Sequence, residues 1–159
     1  MRIRNSLYTA NQIASYIIKK CLESKKEISN LQLQKILYYT QAAFLVKVNR
    51  PAFSDDIVAW KYGPVVKDIY QEYKCNSNRP IYDYIPYDGL IADDHTDLID
   101  EIILAKSDYS AFELVEQTHE ELPWIDTNIN ETISIIKIKE YFSDVENKKR
   151  IWMRKNEVA

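Results

Sequence analysis

Apolar residues recur at helical spacing in the first third of the chain. Thr9 and Gln12 have the hydroxyl and the amide of a capping box, which satisfies backbone donors in the first turn of a helix. Ser29 and Gln32 repeat this signal before a strongly apolar stretch. The pattern predicts helices over residues 10–24 and 32–47, with the second at the centre of the fold.

The middle of the chain changes from alternating residues to a sharp corner. Residues 53–62 alternate like a short strand, and Gly63 and Pro64 follow them. Glycine tolerates an unusual dihedral angle, and proline suits the first position of a helix. We therefore predict that this corner starts a third helix, with Tyr70 and Tyr73 on its packing face. Residues 75–94 lack periodicity and predict a long irregular segment, a feature that is often functional.

The remaining helices are marked by start and stop signals. These are the caps Thr96, Ser110 with Glu113, and Ser134, and the stop signal Pro123. They predict helices over 96–105 and 110–119 and a last helix from 134, followed by a charged tail at 146–159. The predicted fold is mainly α: a single compact domain over residues 1–159, with five or six helices and one or two short β-strands.

Composition narrows the class of protein. The 159 residues are 46% hydrophobic and 28% charged, with a net charge of −3, so nucleic acid is an unlikely partner for the chain as a whole. The N-terminus has no sustained apolar run, which argues against a secretory signal or a membrane span. Cys21 and Cys75 are isolated, as is typical of reduced thiols. We expect a cytoplasmic protein.

Residues that could support catalysis or cofactor binding are sparse. His95 and His119 are the only histidines and lack a third metal ligand nearby, while the two glycines cannot form a phosphate loop. We therefore expect no metal, no cofactor and no enzymatic activity. His119 is interpreted mainly as a structural plug at a helix end, covered by the following proline and tryptophan. A recognition or proton-transfer role for it stays open.

Tyrosine and acidic residues suggest a protein partner. The chain has twelve tyrosines, and residues 83–108 carry eight acidic residues and one lysine. Tyrosine is enriched at protein interfaces, and an acidic surface would steer a basic partner. The candidate partner-binding residues are Tyr70, Tyr73, Tyr82, Tyr84, Tyr87, Asp93 and Asp94. Core packing explains any one of these tyrosines equally well. The acidic residues at the predicted start of a helix are explained more readily by the helix dipole, which favours negative charge there.

Four blocks of residues resemble the Panacea domain. They are Thr9-Ala10-xx-Ile13-Ala14-xx-Ile17, Leu31-x-Leu33-Gln34-Lys35-Ile36-Leu37-Tyr38-Tyr39-Thr40-Gln41-Ala42, Ala59-Trp60-x-Tyr62-Gly63-Pro64-Val65-Val66 with Tyr70, and Thr118-His119-xxx-Leu122-Pro123-Trp124. The blocks occur in the order of that family, which includes SocA-like antitoxins and phage-associated GepA-like proteins, and the resemblance runs over about residues 7–142.

The resemblance implies an antitoxin that neutralises a toxin by direct contact, and one branch of the family is similar to adaptors that hand a toxin to an AAA+ protease. Within the blocks, we expect the side chains to brace the scaffold. Trp60 and Tyr62 should anchor the extended segment on the first two helices. Of the neighbouring Tyr38 and Tyr39, one should face the core and the other should point elsewhere. The expected scaffold residues are Gln34, Lys35, Tyr38, Tyr39, Trp60, Tyr62, Gly63, Pro64, His119, Pro123 and Trp124.

Three other functions stay open at the level of sequence. A phage protein could bind and redirect a host factor, an enzyme could be built on His119, and the basic stretch at 148–150 could serve transcriptional regulation. The oligomeric state and the partner's identity are not encoded in any recognisable motif.

Overall fold

The two N-terminal helices begin at their predicted capping boxes. In the computed structural model, which describes residues 5–87 and 89–156, α1 spans Ala10–Glu23 and α2 spans Asn30–Lys47. Fourteen residues of α2 are buried, on every side of the helix, because it packs against most of the other elements. This confirms the central position predicted for α2, since a helix that is apolar all round must be enclosed by others.

The glycine-proline corner forms a hairpin instead of starting a helix. Strands β1 (Val58–Trp60) and β2 (Gly63–Val65) pair antiparallel, with Trp60 opposite Gly63, and α3 (Lys67–Tyr73) begins afterwards. The prediction that Pro64 opens the third helix is therefore wrong. The reason is that Gly63 has a φ of 102°, a value outside the helical region, and the chain returns along β1.

The predicted irregular segment is confirmed. After a short 3-10 helix at Lys74–Asn76, residues 77–87 and 89–92 contain no helix or strand. This segment packs on the core, because Ile81 N donates to Ile28 O at 2.8 Å and Ser15 Oγ donates to Ile85 O. Ile85 N donates to the hydroxyl of Tyr73 at 3.4 Å.

Three further helices follow. α4 spans Asp93–Lys106, α5 spans Ala111–His119 from its predicted capping box, and α6 is a single turn, Leu122–Ile125. α4 begins three residues before the predicted start because Thr96 does not cap it; the Thr96 hydroxyl donates to Asp93 O within the helix. Pro123 lies in the first turn of α6, where its missing N–H costs no helical hydrogen bond.

The C-terminal region is more ordered than predicted. The last predicted helix is two helices, α7 (Ile135–Ser143) and α8 (Val145–Trp152), separated at Asp144. The Asp144 carboxylate accepts from the backbone of Glu146 and Asn147, each at 3.1 Å, and so caps α8. The expected charged tail from residue 146 is thus largely a helix, which packs on α2, α4 and α7 through the buried Ile151.

The mainly helical fold is confirmed, with eight α-helices and one two-stranded sheet in the described ranges. Across those same ranges, every helix is too short or too polar to cross a membrane.

Candidate functional site

An open groove lies beside the hairpin, and we call it the hairpin groove. It has a volume of about 720 Å³ and is formed where the starts of α2 and α5 meet the hairpin and the end of α3. Its lining consists of residues 29–31, 60–62 and 110–112, together with Val65, Tyr70, Lys74, Ser77, Asn78, Ile129 and Asn130. The groove therefore combines residues from distant parts of the sequence, from Ser29 to Asn130.

Trp60 and Tyr70 form an aromatic pair in the groove. Their ring centroids lie 4.9 Å apart with an edge-to-face angle of 75°, and both side chains are half-buried. Asn30 Nδ2 donates to Tyr70 O at 3.0 Å, which fixes the backbone of α3 against the start of α2. Edge-to-face pairs of this kind typically contribute about 0.5–1.5 kcal/mol beyond their burial.

A chain of amide hydrogen bonds extends this connection into the core. Gln34 Nε2 donates to Asn30 Oδ1 at 3.0 Å, and Gln34 Oε1 accepts from Val66 N at 2.9 Å. All three residues are buried, so these bonds replace the water that their polar groups lose on folding. Gln34 thereby joins α2 to the residue that precedes α3.

The tip of the hairpin is held by two aromatic residues, His119 at the end of α5 and Trp124 in α6. Trp124 Nε1 donates to Trp60 O at 2.8 Å, and His119 Nε2 donates to Lys61 O at 3.0 Å. The rings of His119 and Trp124 stack with centroids 4.0 Å apart. The prediction that Trp124 covers the helix end at His119 is confirmed, while the imidazole bonds to the hairpin and not to a carbonyl of its own helix.

Lys35 supports the hairpin from below. Its side chain is fully buried, and its ammonium group donates to Pro64 O at 3.1 Å. Burial lowers the pKa of Lys35 to about 7, because an uncompensated charge is costly away from water. A Cβ atom on Gly63 would lie 2.7 Å from both Lys35 Cε and Thr118 Oγ1. Only glycine fits this position, both for space and for its positive φ.

A buried charged cluster connects α8 to Glu121, which lies between α5 and α6. Glu121 is fully buried and accepts from Arg150 Nε and from the Tyr39 hydroxyl, each at 2.9 Å. Burial raises the pKa of the Glu121 carboxyl, against the opposing effect of the Arg150 hydrogen bond. Buried Lys106 lies 4.2 Å from the centroid of the Tyr39 ring and donates to Arg150 O at 2.6 Å.

Sequence reasoning did not find this cluster, and it was also wrong about the neighbouring tyrosines. Tyr38 and Tyr39 are both fully buried, and burial raises the pKa of each hydroxyl. Nothing in the sequence separates Arg150 from the two lysines before it. The partner of Arg150, Glu121, is 29 positions away, so only the packing of α8 brings the two charges together.

The rim of the groove exposes large apolar side chains. Tyr62 is 51% exposed, Phe112 73% and Ile129 51%. The expectation that Tyr62 anchors the hairpin on the first two helices is therefore wrong, while Trp60 points toward α3. Sequence reasoning missed Phe112 and Ile129. A signal for Phe112 existed, because it falls outside the buried stripe of α5, which is formed by Leu114, Val115 and Thr118.

The structure places the candidate partner-binding residues in different parts of the molecule. Tyr70 lines the hairpin groove, whereas Tyr73 is buried and so absent from the exposed surface. The others lie outside the groove lining: Tyr82, Asp93 and Asp94 are exposed, and Tyr84 and Tyr87 are half-buried. Their part in partner binding stays a prediction.

The two histidines have separate environments. His95 Nδ1 is hydrogen-bonded to the Tyr8 hydroxyl at 2.7 Å, at the start of α4, while His119 lies at the hairpin. Among residues 5–87 and 89–156, no three His, Cys, Asp or Glu side chains converge as a metal site would require.

Comparison with known proteins identifies the family of this braced helical domain. The family model described as "Antitoxin SocA-like, Panacea domain" matches residues 33–125, and the chain belongs to that family. The match covers α2 from Leu33 onward, the hairpin, the buried Glu121 and most of the groove lining. The predicted resemblance is thus confirmed.

One relative is the "Antitoxin SocA" of Caulobacter vibrioides (strain NA1000 / CB15N). The chain is 36% identical to it over 72 residues, which are 45% of this chain and 38% of that protein. The aligned stretch therefore spans well under half of the relative's length. No solved structure matches the chain significantly.

Proposed function

We propose that this chain is a non-enzymatic antitoxin, which acts in the cytoplasm by binding a partner toxin directly in the hairpin groove. The family membership and the similarity to a protein named as an antitoxin support the general role. The observation that carries the proposal is the groove itself. In it, Tyr62, Phe112 and Ile129 expose apolar surface around the half-buried aromatic pair of Trp60 and Tyr70. Exposed apolar surface around a pocket is typical of protein-binding sites.

The chemistry of the groove supports binding over catalysis. Its lining includes Lys61 and Lys74 but none of the acidic, histidine or cysteine residues that the structure describes. A general acid-base mechanism needs a titratable pair within hydrogen-bonding reach of a substrate. The braced hairpin instead provides a preorganised surface, which reduces the entropy lost when a partner binds.

Growth rescue tests the proposal. The toxin candidate is the product of the gene beside this one, expressed from an inducible promoter with or without this chain. Wild-type protein should restore growth and co-purify with the toxin, whereas Phe112→Ala and Tyr62→Ala should weaken both. Val145→Ala is the matched control, because Val145 is 70% exposed on α8 and lies outside the groove.

The control measurements separate binding from folding. All variants should unfold at nearly the same temperature, since the replaced side chains are exposed. Rescue that is unaffected by both groove substitutions, or absent with wild-type protein, would contradict the proposal. Toxin abundance after a block of protein synthesis distinguishes the two forms of neutralisation: it should stay constant if the toxin is simply held, and it should fall if the chain delivers the toxin to an AAA+ protease.

A further inference from the structure

The hairpin groove carries a positive charge, although the chain as a whole is acidic. Lys61 and Lys74 are both exposed in its lining, and no acidic side chain lies there among the described residues. Neither lysine forms an ion pair within the part of the chain that the structure describes. Lys61 Nζ lies 5.5 Å from the centroid of the Tyr62 ring. The chain as a whole has a net charge of −3, so the charge of the groove is opposite in sign to that of the chain.

Two helices also begin at the groove. α2 starts at Asn30 and α5 starts at Ala111, and residues from both starts line it. The positive end of the α2 dipole adds to the potential of the lysines, because the first turn of α2 carries no acidic residue. At the start of α5 the Glu113 carboxylate, which accepts from Ser110 N at 2.8 Å, already offsets the dipole. The lysines and the α2 dipole therefore favour negative charge at the same place where the rim offers apolar contacts.

We propose that the hairpin groove binds a short segment of a protein partner that presents a large apolar side chain next to one or more carboxylates. This inference rests on the proposed function and specifies the chemistry that the toxin would present. The apolar side chain would contact Phe112, Ile129 and the rings of Trp60 and Tyr70. The carboxylate would pair with Lys61 or Lys74. Charge complementarity of this kind mainly sets the association rate and the choice of partner.

A nucleic acid could also combine negative charge with flat apolar groups, but the structure favours a peptide. Binding of DNA or RNA depends on neutralising many phosphates, and the groove lining supplies two lysines. Two lysines are enough to pair with a segment that has one or two carboxylates.

Selection from a displayed library of random twelve-residue peptides tests the inference. The full chain is immobilised as wild type, as Lys61→Gln with Lys74→Gln, and as Lys19→Gln with Lys25→Gln. The last variant is a matched control, since it loses the same two charges at exposed positions outside the groove. Wild type and control should both enrich peptides in which Asp or Glu lies close to an aromatic residue or leucine. The groove variant should lose the acidic preference and keep the apolar one.

Affinity measurements then quantify the effect. The most enriched peptide, synthesised and labelled, should bind about three- to tenfold more weakly to the groove variant than to wild type, as expected for two exposed ion pairs. It should bind the control variant unchanged, and added salt should weaken its binding to wild type.

Several outcomes would overturn the inference. These are an enriched pool without acidic residues, an acidic preference that survives in the groove variant, or a selection that yields no binder. Tighter binding of a labelled 20-nucleotide single strand than of any selected peptide would also overturn it, in favour of a nucleic acid. A pool of purely apolar or basic peptides would refute the acidic segment while leaving toxin binding in the groove intact, and growth rescue tests that binding separately.

Discussion

Arg150 Nε donates a hydrogen bond at 2.9 Å to the fully buried carboxylate of Glu121, and so joins the last helix to the turn that precedes Pro123 and Trp124. Arg150 also donates to Gln117 O at 3.0 Å. The same Glu121 oxygen accepts from the Tyr39 hydroxyl of α2. A single carboxylate thus connects three parts of the fold: α2 at the centre of the core, the segment from His119 to Trp124 that holds the hairpin, and the C-terminal helix α8.

Replacing Arg150 should destabilise the protein strongly. Arg150→Met leaves the buried Glu121 without its cation, and loss of one partner of a buried pair typically costs about 3–5 kcal/mol. Lys149→Met is the control, because Lys149 pairs with Glu146 at an exposed position and such pairs contribute about 0–1 kcal/mol. Urea denaturation of both variants measures the difference. Adding Glu121→Gln to Arg150→Met should recover much of the loss, and equal destabilisation by the two single variants would contradict the prediction.

Gly63 should tolerate no side chain. In Gly63→Ala the new Cβ would meet Lys35 Cε and Thr118 Oγ1 at 2.7 Å, in a residue whose φ is 102°. The conformational penalty is about 1–2 kcal/mol, and overpacking adds about 1–3 kcal/mol. Gly89→Ala provides a matched control, since Gly89 also has a positive φ, 86°, but the nearest atom would lie at 3.4 Å. Thermal unfolding should rank Gly63→Ala clearly below Gly89→Ala, and a reversed order would refute the steric explanation.

The buried Lys35 should make stability rise with pH. Its pKa is about 7 in the folded protein against an ordinary value of 10.5, so between these values the unfolded chain binds a proton that the folded chain does not. Unfolding then takes up a proton, and stability increases with pH by at most about 1.4 kcal/mol per unit. Below pH 7 both states are protonated, and the contribution no longer changes with pH.

The variant Lys35→Met isolates this effect. Methionine removes the titrating group and keeps most of the volume, so its stability relative to wild type should be highest at pH 7 and below and should decline toward pH 10. Lys106, whose pKa burial also lowers to about 7, is present in both proteins and its contribution cancels in the comparison. Urea denaturation at several pH values measures the difference, and a difference independent of pH would show that Lys35 stays charged in the fold.

His119 should act by bracing the hairpin and not by chemistry. His119→Ala loses the hydrogen bond to Lys61 O and the stacking on Trp124, and we expect a loss of about 1–3 kcal/mol in the free energy of unfolding. Trp124→Phe, which removes only the donor to Trp60 O and part of the ring, should lose less. Growth rescue by both variants should decrease in proportion to stability. A variant with unchanged stability and no rescue would instead support a direct role for His119 in partner recognition or proton transfer.

The sequence by itself determined the features that depend on neighbouring residues. The capping boxes of Thr9 with Gln12, Ser29 with Gln32 and Ser110 with Glu113 lie within three positions, so the same side chains close the same helix starts in any tertiary context. The density of apolar residues in α2 likewise fixed its central place, because such a helix has no face to turn toward water. The four motif blocks identified the family on the same local basis.

Only the tertiary structure determined where the groove lies and which elements form and support it. Gly63 and Pro64 suit either a helix start or a hairpin, and the choice follows from pairing with β1 and contact with Lys35, which is distant in sequence. The basic stretch at 148–150 has the composition of an exposed tail, and it becomes a packed helix because Arg150 reaches Glu121. Long-range contacts of this kind depend on how all the helices pack at once, and for that reason no local pattern encodes them.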